Sequence, residues 1–341
     1  MSDAAPAHGT QEWLDQVVEP ILDPDRRIID PHHHLWRPDG ALPYGPNELA
    51  FDTASGHNVV ATVFIECSSA YRADGPRHLK PVGETEFVVA SAEYLAADVP
   101  SSPPIAAIIG HTDLADTDHL DEVLDAHVDA GKGRFRGIRD ALARATEPEE
   151  MMIPAAYAED KFEDPAFVAG VKRLGQRGLT YDTWHYHHQN HQMLSLAKAA
   201  PDTMMVLDHF GTPCGVGQYE GKRDEIFEQW KLDISALAAC DNVVAKIGGL
   251  AMPDNGYGFH LAAAPPTSNE FVEAQGRYYL HTIEAFGPGR CMFESNFPID
   301  RFSLSFPVLY NGLKKIAAQF SDAEQDEMFL GTAARVYAIE I

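Results

Sequence analysis

The sequence has few basic residues and few cysteines. Lysine and arginine together number 26 against 51 aspartates and glutamates, which gives a formal net charge of -25 at pH 7. Because nucleic acids and anionic membranes attract basic surfaces, this charge argues against either of them as a partner. The 4 cysteines are scattered and show no Cys-x-x-Cys spacing, so neither a disulfide framework nor a zinc knuckle is predicted.

Long apolar runs are also missing from the chain. No segment is long and apolar enough to span a membrane, and the first residues show no basic flank followed by an apolar core. We therefore expect a soluble, cytoplasmic protein that acts on a small-molecule substrate and has no nucleic-acid or membrane partner. The composition leaves a homo-oligomer open.

Short apolar runs, in contrast, recur along the chain and alternate with helical patterns. There are eight such runs, at residues 27–30, 59–67, 105–111, 135–139, 179–184, 204–209, 243–248 and 290–296. Eight buried parallel strands alternating with helices predict an α/β protein of the (β/α)8 TIM-barrel type. A doubly wound open sheet is the alternative, but no Gly-x-Gly-x-x-Gly follows the first run.

The predicted barrel forms a single domain over residues 26–341, preceded by an N-terminal extension over residues 1–25. The spacing of Trp13, Val17 and Ile21 predicts a helix over residues 12–21 of that extension. Two connections, 141–164 and 250–270, are longer than barrel loops usually are. Both follow the C-terminal ends of predicted strands, so we expect them to form pocket walls or partial lids, with insertions of no function as the alternative.

A run of three histidines follows the first predicted strand. In an extended segment alternate side chains share a face, so Asp30, His32 and His34 point one way and His33 the other. Two imidazoles on one face at a strand end can hold one ion, so the pattern predicts a metal site. A histidine-rich turn without a ligand is the alternative.

Polar residues also end nearly all the other predicted strands. They are Glu66, His111, Asp113, Arg136, Arg139, Asp182, Trp184, His185, Tyr186, His187, Asp208, His209, Lys246, Glu294, Ser295 and Asn296. The C-terminal ends of barrel strands meet on one rim, where polar groups are costly unless water or a ligand meets them. The set as a whole therefore predicts an active site on this rim.

Four stretches at the first, sixth, seventh and eighth predicted strands stand out, namely Asp30-Pro-His-His-His-Leu-Trp, Leu207-Asp-His-Phe-Gly-Thr-Pro, Lys246-Ile-Gly-Gly-Leu and Met292-Phe-Glu-Ser-Asn-Phe-Pro-Ile-Asp. Together they resemble the amidohydrolase superfamily, and more narrowly its amidohydrolase 2 branch of 2-pyrone-4,6-dicarboxylate lactonase and sugar-lactone hydrolases. The resemblance implies that His32, His34 and His209 surround a divalent metal, with zinc favoured. It also permits a site without metal.

The eighth strand departs from the family pattern Gly-Ser-Asp-Trp-Pro, because Asn296 stands at the position of the aspartate. A carboxamide cannot take a proton from an attacking water, so the general base is left open. The predicted replacements are Glu294, on the same strand face, and a histidine such as His187. The alternative for Glu294 is a salt bridge to Lys246 or Arg139 inside the barrel.

The predicted substrate-binding residues are Arg139, Trp184, Tyr186 and Glu66. A guanidinium makes bidentate pairs, so Arg139 is expected to hold a substrate carboxylate or carbonyl, with an ion pair to Asp140 or Glu66 as the alternative. Trp184 and Tyr186 are expected to pack on a substrate ring, with a plain core role as the alternative. Arg139 and Asn296 would together orient the substrate and the oxyanion that forms on it.

The resemblance implies a hydrolase that opens a lactone of a catabolic pathway by water attack. Hydrolysis of an amide and decarboxylation of an aromatic acid are the alternatives among enzymes, and ester hydrolysis is favoured over amide hydrolysis. A barrel with a decayed site that only binds a ligand is the alternative outside enzymes, and Asn296 is the residue that keeps it open.

Overall fold

The computed structural model describes residues 7–153 and 161–341, and in these ranges eight parallel strands form one sheet in sequence order. The strands are β1 (Arg27–His33), β2 (Asn58–Ile65), β3 (Ile105–Gly110), β4 (Phe135–Arg139), β5 (Thr180–Thr183), β6 (Met205–Leu207), β7 (Val243–Ile247) and β8 (Cys291–Phe293). Every predicted strand is present, so the predicted TIM barrel is confirmed.

Helices connect each strand to the next and surround the barrel. They are α1 (Gln11–Leu14), α2 (Pro46–Thr53), α3 (Val82–Asp98), α4 (Leu120–Gly131), α5 (Pro165–Gln176), α6 (Asn190–Ala199), α7 (Arg223–Ala238), α8 (Ser268–Phe286), α9 (Phe306–Ala317), α10 (Asp322–Asp326) and α11 (Thr332–Val336). None of the helices in the described ranges is long and apolar enough to cross a membrane.

The N-terminal helix is much shorter than the predicted one, which was wrong in its length. Only α1 forms, and it buries Trp13 and Leu14. Beyond it Val17 is half-buried and packs against the core although it lies outside any helix, so the apolar spacing marks contacts with the barrel and not a helical face. Glu19 instead accepts a hydrogen bond of 2.8 Å from the backbone N–H of Ser268 at the start of α8, which holds this segment extended against the barrel.

An apolar cluster fills the lower part of the barrel interior and includes Val206, Val244, Met292 and Tyr337. Two residues further along β6, β7 and β8 come three buried polar side chains, Asp208, Lys246 and Glu294. Side chains two residues apart share a face of a strand. The barrel interior therefore changes from apolar to charged toward the C-terminal ends of the strands.

The first and last strands meet at the position of the three histidines. The backbone N–H of His34 donates to the carbonyl of Phe297 at 2.9 Å, and that of Asn296 donates to the carbonyl of His32 at 3.0 Å. In the same region Asp30 accepts hydrogen bonds from the backbone N–H and the hydroxyl of Ser295. These bonds bring the His-x-His motif and the Glu-Ser-Asn segment of the eighth strand together.

Candidate functional site

A cavity of about 170 Å³ opens at the C-terminal ends of the strands. Its lining comes from the ends of six strands and from both of the long connections. The lining residues are His34, Trp36, Glu66, Cys67, Ser68, Arg139, Ala141, Ile153, Trp184, His209, Met252, Asn296 and Ile299. Residues 154–160, within the first long connection, lie outside the described residues.

The two long connections bind each other at the cavity wall. The carboxylate of Asp254 in the second connection accepts the backbone N–H of Met152 at 2.7 Å and that of Ile153 at 3.0 Å in the first. Ile153 and Met252 then present apolar side chains to the cavity. The connections thus form one side of the pocket, as the sequence predicted.

Three buried histidines lie at the floor of this cavity. The Nε2 atoms of His32 and His34 are 3.3 Å apart, and the ring centroids of His32 and His209 are 4.4 Å apart. Burial lowers the pKa of all three imidazoles, to about 3 for His209. They are therefore neutral near pH 7, and each keeps a nitrogen lone pair.

In each of the three histidines the Nδ1 atom lies close to an oxygen that can accept its proton. His34 Nδ1 lies 2.8 Å from the carbonyl of Ile65, which can only accept. The Nδ1 atoms of His32 and His209 lie 2.9 Å and 2.8 Å from the two carboxylate oxygens of Glu294. Protons on all three Nδ1 atoms would leave the lone pairs on the Nε2 atoms, which is how metal-binding histidines are held in proteins.

Glu294 itself is fully buried and does not line the cavity. Burial raises the pKa of its carboxyl to about 8, while the nearby ammonium of Lys246 lowers it. It forms neither of the two salt bridges that the sequence suggested. Its partners are the two histidines.

Two cations neutralise the remaining carboxylates beneath the histidines. Lys246 Nζ lies 2.8 Å from Asp182 and 3.1 Å from Asp208, while Arg139 lies 3.4 Å from Asp208. Burial lowers the pKa of Lys246, but the two aspartates outweigh it and raise the pKa above its usual value. Tyr337 from the far end of the barrel also donates to Asp182 at 2.6 Å.

One group of residues in the described part of the chain is spaced to share a metal ion, and it overlaps the predicted ligands in two residues. Ligand atoms of His32, Asp208 and His209 lie within 4.8 Å of one another, the one such group in the described part of the chain. The sequence instead predicted His34 as the third ligand. Lys246 and Arg139 already pair with Asp208, whereas no carboxylate uses the Nε2 lone pairs of the histidines. The ligand atoms of His32, His34 and His209 do not all lie within 4.8 Å of one another.

Asn296 presents an acceptor to the cavity. Its Nδ2 donates to Asp300 at 2.9 Å, and Asp300 is fixed by the backbone N–H of Ala251 at 3.1 Å. The Oδ1 atom of Asn296 is buried and has no hydrogen-bond partner among the described residues. An unpaired buried carbonyl oxygen on a cavity wall is a binding group for a hydroxyl, a water or a cation.

Of the predicted substrate-binding residues, Arg139, Glu66 and Trp184 line the cavity. Arg139 Nε lies 2.8 Å from Glu66, so the ion pair considered as an alternative does form. Asp140, the other candidate partner, binds Lys161 at 2.9 Å. The guanidinium of Arg139 lies 6.0 Å from the ring of Trp184.

The structure does not bring Tyr186 and His187 to the cavity. Tyr186 is fully buried, and its hydroxyl donates to the carbonyl of Ile153 at 3.2 Å, so it supports the first long connection. His187 lines a different cavity on the outside of the barrel and accepts from the backbone N–H of Cys214 at 3.1 Å. The reason is that β5 ends at Thr183, so the following residues no longer alternate as they would in a strand.

Sequence reasoning did not assign a role to Trp36, Asp300, Asp182 or Asp208. Trp36 lines the cavity and directly follows the His-x-His motif, which is a signal that was available. Asp182 and Asp208 were recognised as strand-end residues, but their pairing with Lys246 depends on which strands face each other across the interior. Asp300 lies in a turn four residues after Asn296, where no strand periodicity applies.

Comparison with known proteins places the chain in a family context. A family model described as amidohydrolase matches residues 29–339. An uncharacterized protein of Sinorhizobium fredii is 30% identical over 335 residues, covering 92% of this chain and 99% of that protein. An L-fucono-1,5-lactonase of Burkholderia multivorans is 25% identical over 319 residues, which cover 91% of this chain and 96% of that protein.

Solved structures agree on the fold. An amidohydrolase from Burkholderia multivorans, solved with bound zinc, superposes with a TM-score of 0.68 at 23% identity, covering 92% of this chain and 99% of the other.

Proposed function

The chain belongs to the amidohydrolase family, and we propose that it hydrolyses a neutral lactone of a sugar acid in the cavity above His32, His34 and His209. The likeness to an L-fucono-1,5-lactonase over nearly the full length supports a lactone as substrate. The cavity itself supports a neutral, polyhydroxylated one.

The observation that carries the proposal is that the side chains lining the cavity supply no spare positive charge. Arg139 is the single lysine or arginine among the described residues of the lining. Its guanidinium is already paired with Glu66 and Asp208. A substrate with carboxylates, such as a pyrone dicarboxylate or an aromatic acid, needs cations that are free to pair with it. A neutral lactone does not.

The cavity also offers groups that suit a sugar ring. Trp36 and Trp184 both line it, and an aromatic face can pack on the apolar C–H groups of a sugar. Trp184 Nε1 is a buried donor, and Asn296 Oδ1 a buried acceptor, without partners among the described residues. A hydroxyl can accept from the first and donate to the second, so a polyhydroxylated substrate would satisfy both.

The donor set fits a divalent ion, for which the zinc-bound structural relative suggests zinc. His32, His34 and His209 would hold it through their Nε2 atoms. When bound, such an ion would polarise the lactone carbonyl and lower the pKa of the attacking water.

The remaining steps fall to residues of the chain. The guanidinium of Arg139, 3.5 Å from His32 Nε2, is placed to donate to the oxygen that becomes negative as water adds to the carbonyl. Asn296 Oδ1 accepts from the water or from a substrate hydroxyl and so orients it. The apolar walls formed by Ile153 and Met252 limit the access of bulk water.

Selectivity between a neutral and a dicarboxylated lactone tests this proposal. We expect the wild type to open L-fucono-1,5-lactone faster than 2-pyrone-4,6-dicarboxylate. Glu66→Gln removes the carboxylate that neutralises Arg139, so the ratio of the two kcat/KM values should shift toward the dicarboxylate by about tenfold or more, the effect of one hydrogen bond to a charged group.

Glu86→Gln serves as the control, because Glu86 is an exposed carboxylate that also pairs with an arginine, Arg72, and lies outside the lining. It should leave the ratio unchanged. A wild type that prefers the dicarboxylate, or a Glu66→Gln variant with an unaltered ratio, would contradict the proposal.

A further inference from the structure

Glu294 lies between two of the three histidines and uses one oxygen for each. Oε2 is 2.9 Å from His32 Nδ1, and Oε1 is 2.8 Å from His209 Nδ1. The contact with His209 is a hydrogen bond, whereas the contact with His32 has the distance of an ion pair without hydrogen-bond geometry. The carboxylate is fully buried and does not line the cavity. A group in this position cannot reach a water or a substrate in the cavity.

We propose that Glu294 is a positioning residue that holds His32 and His209 in the same tautomer and turns both of their Nε2 lone pairs away from itself. The part of this inference that concerns metal affinity rests on the proposed function, whereas the part that concerns the tautomers does not.

The end of β7 is built to receive this pair of residues. A Cβ atom added to Gly248 would lie 2.3 Å from Cγ of Glu294, and one added to Gly249 would lie 2.2 Å from Nδ1 of His209. Both distances are far below van der Waals contact. The Gly-Gly of the Lys246-Ile-Gly-Gly-Leu stretch is therefore required for steric reasons: it makes room for Glu294 and for His209.

The charged neighbours keep Glu294 free for this task. The ammonium of Lys246 is also in reach to donate to His32 Nδ1, at 3.4 Å, but this distance is longer than its contacts of 2.8 Å and 3.1 Å with Asp182 and Asp208. Asp208 lies 3.8 Å from His32 Nδ1, which is nearly 1 Å longer than the 2.9 Å to Glu294. Glu294 is therefore the nearest acceptor for this nitrogen.

The chemistry of the carboxylate explains why a similar side chain cannot replace it. Both oxygens of a carboxylate accept, so both imidazoles can donate from Nδ1. A carboxamide has one oxygen and one NH2 group, so in Glu294→Gln only one imidazole can donate. The other imidazole must accept at Nδ1 and carry its proton on Nε2, where it can no longer bind a metal.

Nitrogen NMR of the metal-free protein, with 15N-labelled histidine and at pH 9, tests the inference directly. In the wild type, we expect His32 and His209 both to carry the proton on Nδ1. In Glu294→Gln, one of the two should carry it on Nε2. Zinc affinity, measured by competition with a chelating dye, should fall by about 10- to 100-fold, as is usual when the group behind a ligand is lost.

Glu84→Gln is the matched control, because Glu84 is also a buried carboxylate with two N–H donors, the backbone amides of Cys67 and Ser69. It should change neither the tautomers nor the zinc affinity.

The outcomes separate this inference from the proposed function. A wild-type spectrum in which His32 or His209 carries its proton on Nε2 would overturn the inference. This test needs only the wild type, so it stands even if Glu294→Gln fails to fold. Unchanged tautomers in Glu294→Gln would also overturn it. The expected tautomers together with no zinc binding by the wild type would support the positioning role and contradict the proposed metal.

Discussion

The carboxamide of Asn296 stands where the resemblance predicts an aspartate, and it is hydrogen-bonded to its neighbour Asp300. Asn296 Nδ2 donates to Asp300 Oδ1 at 2.9 Å. Two aspartates at this distance would place two buried carboxylates against each other. An asparagine at position 296 therefore suits the acid four residues later.

Asn296→Asp should destabilise the protein and should not improve hydrolysis. The new carboxylate loses the hydrogen bond to Asp300 and leaves a buried charge beside another, which should lower the free energy of unfolding by roughly 1–3 kcal/mol. Urea denaturation measures this change.

The double variant Asn296→Asp with Asp300→Asn exchanges donor and acceptor and is the control. It should recover most of the lost stability, because the new carboxamide at position 300 can donate to the new carboxylate at position 296 and still accept from the backbone N–H of Ala251. A single variant as stable as the wild type would show that the two side chains are not coupled.

At the scale of elements, the ends of the strands decide what reaches the cavity. The buried strands could be predicted because parallel strands covered on both faces form continuous apolar runs. His32, His34 and His209 could be placed on one rim for the same reason. Tyr186 and His187 were placed there incorrectly, since β5 ends at Thr183 and strand alternation does not extend to them.

The pairing of charged side chains inside the barrel could not be predicted from sequence spacing. Lys246 on β7 contacts Asp182 near the end of β5 and Asp208 after β6, and the choice depends on distances across the interior. Likewise, Glu294 could be recognised as facing inward, but its two histidine partners come from opposite sides of the barrel closure.

Gly249→Ala tests the fit between β7 and the histidines. Gly249 has a φ of +73° and its Cβ would lie 2.2 Å from His209 Nδ1, so the new methyl group must displace His209. We expect zinc affinity and lactone hydrolysis to fall by at least about tenfold, since a displaced ligand loses its geometry.

Gly178→Ala is the matched control, because Gly178 has a φ of +66° and its Cβ would contact nothing within 4 Å. It carries the same backbone strain, roughly 1 kcal/mol, without the clash. Equal losses of zinc affinity in the two variants would indicate that backbone strain alone is responsible.

At the scale of the whole molecule, a buried lysine links the N-terminal segment to the barrel. Lys314 on α9 donates to the carbonyls of Leu22 and Asp23 at 3.0 Å and 2.8 Å, and its Nζ lies 2.8 Å from His57 Nδ1. Burial lowers the pKa of Lys314 to about 8, although Asp23 opposes this shift.

The lowered pKa of Lys314 should make the stability of the protein depend on pH. In the unfolded chain its pKa is about 10.4, so above about pH 8 the folded protein releases the proton while the unfolded chain keeps it. The unfolded state then binds more protons. The lowered pKa therefore costs stability in full below about pH 8, where Lys314 is charged in both states. By linkage, this cost shrinks and stability rises as the pH increases from about 8 to about 10.

Lys314→Met lacks this contribution. The unfolding free energies of both proteins are measured in urea at pH 7 and pH 9.5. The value for the wild type minus the value for the variant should be more positive at pH 9.5 than at pH 7. An equal difference at both pH values would contradict the assigned shift of this lysine.

The measurement that tests the proposed function most directly is the rate of opening of L-fucono-1,5-lactone by the wild type and by His32→Ala with His209→Ala, with folding of both checked by circular dichroism. We expect the wild type to exceed spontaneous opening clearly and the double variant to fall to the spontaneous rate. A wild type no faster than buffer, or a double variant as active as the wild type, would contradict the assignment of this cavity as a lactone-hydrolysing site.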